Sequence, residues 1–484
     1  MVPPFLITLT VLLVGIGDRQ LWRDENATWW AASQSVDGLR KLVEVVDAVL
    51  FPYYVLMHGW TNLFGDSETA LRMPSAIFMA LSAAVVALIG RRLFDATAGL
   101  AAGLLVAAVP VISRYGQEAR PYAMAVLASV VAVWLLLRAL ERPTVWHWLG
   151  YAVAVLWVGC SHVVALMALA AHGVAALAAV LRARGSERLR ILVGWPVAVV
   201  GALSAFLPVL VAGQRQGRQI SWIPDPTWRR VRAFPGELFL SPSIAGFFLV
   251  LGLAGIVALV VADSGKRRWT GAFLALWALL PPVLAYSTFD RFHFFLPRYL
   301  LFTVPAWILL ASWAIRRALA KAATAKVLLV TMVAGAGVAY AGWDEQRAVR
   351  SDAVENEFAF REAAAYIAAR DRPGDGVIFT GYPYLHRGFR YEWRGQPLAE
   401  QPREVLVDQD PADAYSWVHR PCADPAVCLG DTPRIWLVSS DPEGGPLAPL
   451  PADQEGAVQA RYGVGSQAVF HRLRVTELIR EPGK

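Results

Sequence analysis

The residues best suited to do chemistry are two adjacent carboxylates, Asp24 and Glu25, which directly follow the first apolar segment of the chain. That segment, residues 2–17, has the character of a membrane helix, so the two acids are expected at a membrane surface. A carboxylate placed there can act as a general base that takes a proton from an attacking hydroxyl group. Neighbouring residues point in different directions in a helix or a strand, so at most one of the two is expected to face the reacting atoms.

A second chemical group consists of arginines and tyrosines at the predicted outer ends of later membrane helices. Residues 114–122 read Arg-Tyr-Gly-Gln-Glu-Ala-Arg-Pro-Tyr, and residues 290–299 add further arginines. Such charge beside hydrocarbon is unfavourable unless something pairs with it. We interpret the group as a phosphate site, with a self-paired Arg–Glu cluster as the alternative. The candidate donor-binding residues are Arg114, Glu118, Arg120, Tyr122, Arg291, Arg298 and Tyr299.

Aromatic and histidine residues of the outer loops form a third group. Tyr54 and His58 lie in the first outer loop, about residues 18–69, and Trp222 lies in the loop 213–245. Trp and Tyr prefer the headgroup level of a membrane, and long ordered loops usually carry function. We assign these three residues to acceptor contacts, with a solvated connector as the alternative for the later loop. His162 and His172 are expected to be packing residues.

A membrane scaffold must position these groups, since 56% of the 484 residues are hydrophobic and only 17% are charged. The mean hydropathy is +0.44. About eleven apolar runs have the length of a membrane span. The sequence therefore predicts a polytopic α-helical membrane protein with about eleven transmembrane helices and a C-terminal extracytoplasmic α/β domain.

Orientation follows from the basic residues, which resist translocation and collect in cytoplasmic loops. They occupy every second short loop, which places the N-terminus in the cytoplasm and puts Asp24, Glu25 and the C-terminal region outside. The net charge of +7 is thus explained by loops beside anionic membrane lipid, and no nucleic-acid partner is implied. Abundant arginine and alanine with little lysine favour a bacterial plasma membrane. The basic residues are Arg91, Arg92, Arg138, Arg142, Arg182, Arg184, Arg188, Arg190, Lys266, Arg267, Arg268, Arg316, Arg317, Lys321 and Lys326.

The composition changes near residue 342, which predicts a membrane domain over residues 1–341 and a soluble domain over 342–484. The soluble part contains no phosphate-binding glycine loop, zinc spacing or nucleophile elbow, so catalysis is not expected there. Cys422 and Cys428 are candidates for a disulfide in an oxidising compartment. Apolar patterns predict one helix and three short strands, at residues 358–370, 376–380, 434–440 and 468–475.

Carboxylates and arginines at one membrane face fit glycosyl transfer from a lipid-phosphate sugar. The base activates an acceptor hydroxyl, and guanidinium groups stabilise the leaving phosphate. A lipid-linked-sugar flippase or transporter is the main alternative, but it predicts polar residues near the bilayer midplane and repeat symmetry, and neither is evident. A non-catalytic assembly or sensor protein would not need the acid pair.

A family resemblance supports this interpretation over residues 1–315. The chain resembles GT-C glycosyltransferases of the protein mannosyltransferase and lipid A aminoarabinose transferase type, family 39-like. The motifs that carry it are Asp24-Glu25, Tyr53-Tyr54 with His58, Leu63-Phe64-Gly65, Leu71-Arg72-Met73-Pro74-Ser75, Gln117-Glu118-Ala119-Arg120-Pro121-Tyr122 and Pro297-Arg298-Tyr299.

The resemblance implies Asp24 as the catalytic acid with Glu25 beside it, and Arg120 and Arg298 on the phosphate of a polyprenyl-phosphate sugar. It implies an acceptor that is a cell-envelope glycan, a glycolipid or a protein, and leaves the sugar open between mannose and pentose-like donors. Some GT-C enzymes use a divalent cation and others do not. No spacing proves a site, so we expect no resident metal.

Overall fold

The protein is described here by a computed structural model covering residues 1–261, 265–352, 357–409 and 420–481. Within those ranges, eight helices are long and apolar enough to cross a membrane. A bent pair, Ala96–Val106 with Pro110–Gly116, and two shorter apolar helices, Val2–Leu13 and Val145–Ser161, complete the set. The prediction of about eleven spans is confirmed. The eight spans are Glu68–Leu93, Tyr122–Glu141, Val163–Arg182, Gly185–Arg215, Pro242–Val260, Arg267–Ser287, Pro297–Ala318 and Thr324–Ala341.

The described residues form two compact units. The helical unit contains Met1–Ile16, Asp47–Tyr53 and Thr69–Arg350, and the sheet unit contains Gly17–Val46, Tyr54–Glu68 and Ser351–Lys484. The acid pair, on the helix Arg23–Ser33, therefore belongs to the sheet unit. The domain limits set from composition, residues 1–341 and 342–484, stay a prediction.

In the helical unit, the end of the first helix is held by side chains from elsewhere in that unit. The last carbonyls of a helix have no partner within it. Here the Gln117 side-chain amide donates to the carbonyls of Leu12 and Val14, at 2.7 and 2.8 Å. Arg350 donates to the Val14 carbonyl at 2.9 Å, and Arg72 to that of Ile16, also at 2.9 Å. The segment that leads to the acid pair thus begins from an anchored helix end.

Residues 114–122, which the sequence placed at the outer ends of membrane helices, do not form an exposed loop. Arg114 lies in the short helix Pro110–Gly116, Tyr122 begins the next helix, and Glu118 is fully buried. Pro110 cannot continue the preceding helix, and the chain bends by 63° there. Gly116 packs so closely on Leu12 that a Cβ would come within 2.6 Å of its side chain. This packing buries the connection.

The sheet unit has an α/β core, as predicted. Its five-stranded sheet has the order β2-β1-β5-β7-β6; β1 runs parallel to β2 and β5, and β7 runs antiparallel to β5 and β6. A two-stranded antiparallel sheet joins β3 and β4. The strands are β1 Gly376–Thr380, β2 Arg403–Glu404, β3 Val407–Gln409, β4 Arg420–Pro421, β5 Arg434–Ser439, β6 Tyr462–Phe470 and β7 Leu473–Arg480.

Alternate residues of the sheet bury opposite faces. Val377 and Val438 pack with the helices Phe360–Ala368 and Leu385–Trp393 on one side, while Ile378 and Leu437 pack in a second core. The remaining helices outside the spans are Val36–Val45, Phe51–Phe64, Trp228–Phe239, Trp343–Ala348, Pro425–Leu429 and Ala452–Gln459.

The predicted single strand at 468–475 is wrong, because β6 and β7 form a hairpin joined by His471 and Arg472. Arg472 adopts the left-handed conformation, with φ of 56°. Such turns normally carry Gly, Asn or Asp, so an apolar pattern with arginine at the turn reads as one strand.

The helix predicted at residues 358–370 is shorter than expected, at Phe360–Ala368. The disulfide between Cys422 and Cys428 is confirmed.

Candidate active site

The two adjacent acids occupy different environments at the start of the helix Arg23–Ser33. Glu25 is fully buried, and its carboxylate accepts a hydrogen bond from the backbone N–H of Trp22 at 3.3 Å. The buried guanidinium of Arg19 lies 3.8 Å from the same carboxylate. A glutamate in the third position of a helix commonly caps its first turn in this way. Glu25 therefore stabilises the helix start.

Asp24, in contrast, is partly exposed. Its charge acts on Arg23 and on Tyr382, which places all three groups close together within the sheet unit. Arg23 is itself held by Glu357, whose carboxylate lies 3.3 Å from the Arg23 Nε atom. Burial raises the pKa of Glu357, and the positive charge of Arg23 opposes that rise. Of the two acids, Asp24 is the one that an external hydroxyl group can approach.

Tyr54 and His58 belong to the sheet unit with the acids. Tyr54 is fully buried. The His58 Nδ1 atom lies 2.9 Å from the carbonyl oxygen of Ala32, and its Nε2 atom lies 3.1 Å from the Asn62 side-chain amide. His58 thus links residues of the helices Arg23–Ser33 and Phe51–Phe64. His58 therefore supports the helix that carries the acids, and the predicted contact of Tyr54 and His58 with an acceptor stays a prediction.

In the helical unit, two of the predicted donor-binding arginines converge on a histidine. The charges of Arg120 and Arg298 both act on His162, so the two guanidinium groups lie near the same imidazole. The His162 ring centre is 4.7 Å from that of Tyr299 and 5.8 Å from that of Tyr122. Two cations and three aromatic rings therefore form one cluster, which we call the Arg120–Arg298 cluster.

Helix ends bring this cluster together. His162 directly follows the helix Val145–Ser161 and has an extended backbone, with φ of −162° and ψ of 117°. Tyr122 begins a helix immediately after Pro121, and Arg298 lies in the helical turn that Pro297 opens. Proline favours the first turn of a helix because it lacks an N–H. Three helix ends thus place polar groups at one place in the helical unit.

Trp222, which the sequence assigned to acceptor contacts, lies in the helical unit against Arg298. The Arg298 guanidinium carbon is 5.3 Å from the Trp222 ring centre and 5.9 Å from that of Tyr299. A guanidinium stacked on aromatic faces is held in a fixed orientation. The structure therefore places Trp222 beside a predicted phosphate ligand.

The remaining predicted donor-binding residues, Arg114, Glu118 and Arg291, do not belong to the Arg120–Arg298 cluster. Arg114 pairs with the buried Glu118 at 3.4 Å, which is the self-paired Arg–Glu arrangement given above as the alternative. Arg291 is exposed in the turn after the helix Gly265–Ser287.

The sequence analysis interpreted His162 as a packing residue. Its position directly after an apolar run, next to the predicted outer surface, was the available signal for a polar site.

In the ranges 1–261, 265–352, 357–409 and 420–481, no group of three or more His, Cys, Asp or Glu residues is arranged to hold an ion. Asp24, Glu25 and Glu118 carry the carboxylate oxygens that hard divalent cations prefer, but Glu25 and Glu118 are each engaged with an arginine. The absence of a resident metal stays a prediction.

Comparison with known proteins gives one family match. Residues 49–211 match the family model described as dolichyl-phosphate-mannose-protein mannosyltransferase. The matched part includes Arg120, Tyr122 and His162 of the Arg120–Arg298 cluster. No curated protein matches the chain by sequence.

Solved structures match the chain over nearly its whole length. ArnT from Cupriavidus metallidurans in the apo state has 15% identity and a TM-score of 0.60, and the match covers 98% of this chain and 97% of that one. ArnT bound to undecaprenyl phosphate gives a TM-score of 0.59 at the same identity and coverage. The Archaeoglobus fulgidus oligosaccharyltransferase in complex with Zn and sulfate has 13% identity and a TM-score of 0.52, covering 96% of this chain and 71% of that one. The chain is accordingly a multi-pass membrane protein with the fold of the GT-C glycosyltransferases, as the motifs in its sequence indicate.

Proposed function

We propose that this protein is a membrane glycosyltransferase that moves a sugar from a polyprenyl-phosphate donor to a hydroxyl acceptor on the extracytoplasmic side of a bacterial plasma membrane. The observation that carries the proposal is the convergence of Arg120 and Arg298 at His162 and the tyrosines. Two guanidinium groups among aromatic rings suit a phosphate on a lipid chain. Guanidinium binds phosphate in a bidentate manner, and the low-dielectric surroundings strengthen the contact.

Asp24 acts as the general base in this proposal. The acceptor hydroxyl oxygen attacks the anomeric carbon of the sugar, the bond from that carbon to the phosphate oxygen breaks, and the hydroxyl proton goes to the Asp24 carboxylate. Attack opposite the leaving phosphate inverts the anomeric configuration. The partial exposure of Asp24, against the complete burial of Glu25, supports this assignment.

Arg120 and Arg298 act on the leaving group. Negative charge grows on the phosphate as the bond breaks, and fixed donors that already face that oxygen lower the barrier without having to reorganise. The stacking of Arg298 on Trp222 and Tyr299 supports such a fixed orientation. The match of residues 49–211 to a mannosyltransferase family supports mannose as the first sugar to test, with pentose-like sugars next.

The proposal is tested with purified protein in nanodiscs and a panel of polyprenyl-phosphate sugars. Release of polyprenyl phosphate from one donor, with transfer to a hydroxyl acceptor and an inverted anomeric product, is the expected result. The structure of ArnT with undecaprenyl phosphate makes the undecaprenyl series the first choice. Movement of a donor between leaflets without cleavage of the sugar–phosphate bond would instead support a flippase.

A further inference from the structure

The sheet unit carries a group of arginines and aromatic rings beside Asp24 that the proposed reaction does not yet use. The Arg23 guanidinium carbon lies 5.5 Å from the ring centre of Tyr382. The Arg387 guanidinium lies 4.4 Å from the ring centre of Tyr384, and the two tyrosine rings are 5.3 Å apart. We call Arg23, Tyr382, Tyr384 and Arg387, with Phe358 and Arg472, the Tyr382 surface.

Phe358 joins the two sides of this surface. The guanidinium groups of Arg23 and Arg472 each lie 5.8 Å from its ring centre. The Phe358 ring is 5.3 Å from that of Tyr382. Phe358 is buried and Arg472 is exposed, so the surface runs from the interior of the sheet unit out to the hairpin turn between β6 and β7.

The backbone fixes the surface in place. Strand β1 ends at Thr380, and Gly381 turns the chain with φ of +86°. A Cβ at Gly381 would come within 2.2 Å of the Ser440 hydroxyl oxygen, and the positive φ also favours glycine at this position. The same hydroxyl accepts a hydrogen bond from the Tyr382 N–H at 2.8 Å. Both tyrosines therefore stand on a turn at the carboxyl end of a central strand.

The surface is adjacent to the candidate base. The charges of Asp24, Arg23 and Arg387 all act on the Tyr382 hydroxyl group. Tyr382 and Tyr384 are partly exposed, as are Asp24 and Arg23. A molecule whose hydroxyl group reaches Asp24 would thus contact the tyrosine rings and guanidinium groups at the same time.

We propose that the Tyr382 surface binds the acceptor and that the acceptor is a saccharide bearing a phosphate or carboxylate group. Flat tyrosine rings provide apolar faces for a sugar ring, and their hydroxyl groups can bond to its polar edge. Guanidinium groups select a planar anionic group by paired hydrogen bonds. The inference rests on the proposed function, because it takes Asp24 as the group that receives the acceptor proton.

Direct binding tests the surface without any turnover. Full-length protein in phosphatidylcholine nanodiscs, with undecaprenyl phosphate added to fill the proposed donor site, is titrated with glucose 6-phosphate and with glucose. Glucose 6-phosphate is expected to bind about tenfold or more tightly than glucose, since a hydrogen bond to a charged group changes affinity by about that factor. Arg472→Gln and Tyr384→Ala should each remove most of that preference. Arg403→Gln, at an exposed arginine of β2, is the matched control and should retain it.

Several results would overturn the inference. Equal binding of glucose and glucose 6-phosphate would remove the anionic specificity, and an unchanged preference in both surface variants would move the site elsewhere. Displacement of the probe when phosphatidylglycerol replaces phosphatidylcholine would assign the surface to lipid headgroups. The Tyr384→Phe variant keeps the ring and guards against misfolding, because it should bind the probe much better than Tyr384→Ala.

Failure of this inference and failure of the proposed function give different results. If the surface binds the acceptor, Arg472→Gln raises the KM for an anionic acceptor about tenfold, whereas the control Arg403→Gln leaves both that KM and donor hydrolysis in the absence of acceptor unchanged. If the protein is not a transferase, no donor is cleaved, yet the preference for the phosphorylated probe and its loss in Arg472→Gln persist.

Discussion

Two acids that are neighbours in the sequence occupy different environments in the sheet unit, whereas two arginines from distant parts of the sequence meet in the helical unit. Glu25 is buried against Arg19 and caps its helix, while Asp24 beside it is partly exposed. Arg120 and Arg298 follow different spans, yet both act on His162. Adjacency in sequence therefore did not give a shared environment, and separation did not prevent one.

The contrast has a simple physical origin. Successive residues of a helix point about 100° apart, so the first turn of Arg23–Ser33 can bury one acid and expose the next. Helix ends, in contrast, collect wherever the spans that carry them pack together. Polar residues at such ends share an environment that cannot be predicted from the local sequence around each of them.

The sharpest test of the comparison is Asp24→Asn, which keeps the shape of the side chain but removes its basic site. Loss of a general base costs about 10²–10⁴ in rate, so transfer should fall by that factor while donor affinity is retained. Transfer rate and donor affinity are measured together in nanodiscs. Asp37→Asn, at an exposed acid of the same predicted loop, is the control and should transfer normally. Near-normal turnover in Asp24→Asn would dismiss the assignment.

Arg298→Lys tests the converging arginines with the charge retained. Lysine cannot make a bidentate contact with phosphate or stack on Trp222 as arginine does, so donor KM should rise about tenfold to a hundredfold. Arg120→Lys should act in the same direction. Arg229→Lys, at an exposed arginine of the same unit, is the matched control. Unchanged donor kinetics in both cluster variants would leave these arginines as membrane anchors only.

Glu25→Gln tests whether the second acid is structural. The change removes the charge that faces the buried Arg19, and it should lower the free energy of unfolding by about 1–3 kcal/mol. Turnover per folded molecule should stay within a few fold of the parent protein. Thermal unfolding followed by activity of the surviving fraction measures both quantities. A selective loss of turnover at full stability would transfer the role of base to Glu25.

The smallest expected effect concerns Glu392, a partly buried acid of the sheet unit. Burial raises its pKa to about 7, and the nearby Glu68 adds to the rise while Arg361 opposes it. The folded protein then holds a proton that the unfolded chain releases at lower pH, so this group favours folding below about pH 4.5 and loses that contribution as the pH rises to about 7. Glu392→Gln should flatten the pH dependence of unfolding in that window. An identical pH profile for both proteins would contradict the raised pKa.

Much of the fold was predictable because its signals are local. Apolar runs predicted about eleven membrane helices, and the structure has apolar helices at those places. The strands β1 and β5 were predicted almost to the residue. The β6–β7 hairpin was missed because its turn uses arginine in a conformation that usually calls for glycine or asparagine.

By itself, the sequence determined which chemical groups are present and that they follow membrane helices, because composition and hydropathy are properties of short segments. It singled out Asp24, Glu25, Arg120 and Arg298. Only the tertiary structure decided that Glu25 is buried and Asp24 partly exposed, that His162 lies with the arginines, and that Tyr382 lies with Asp24. Burial and convergence depend on which distant segments pack together, and that information is distributed over the whole chain.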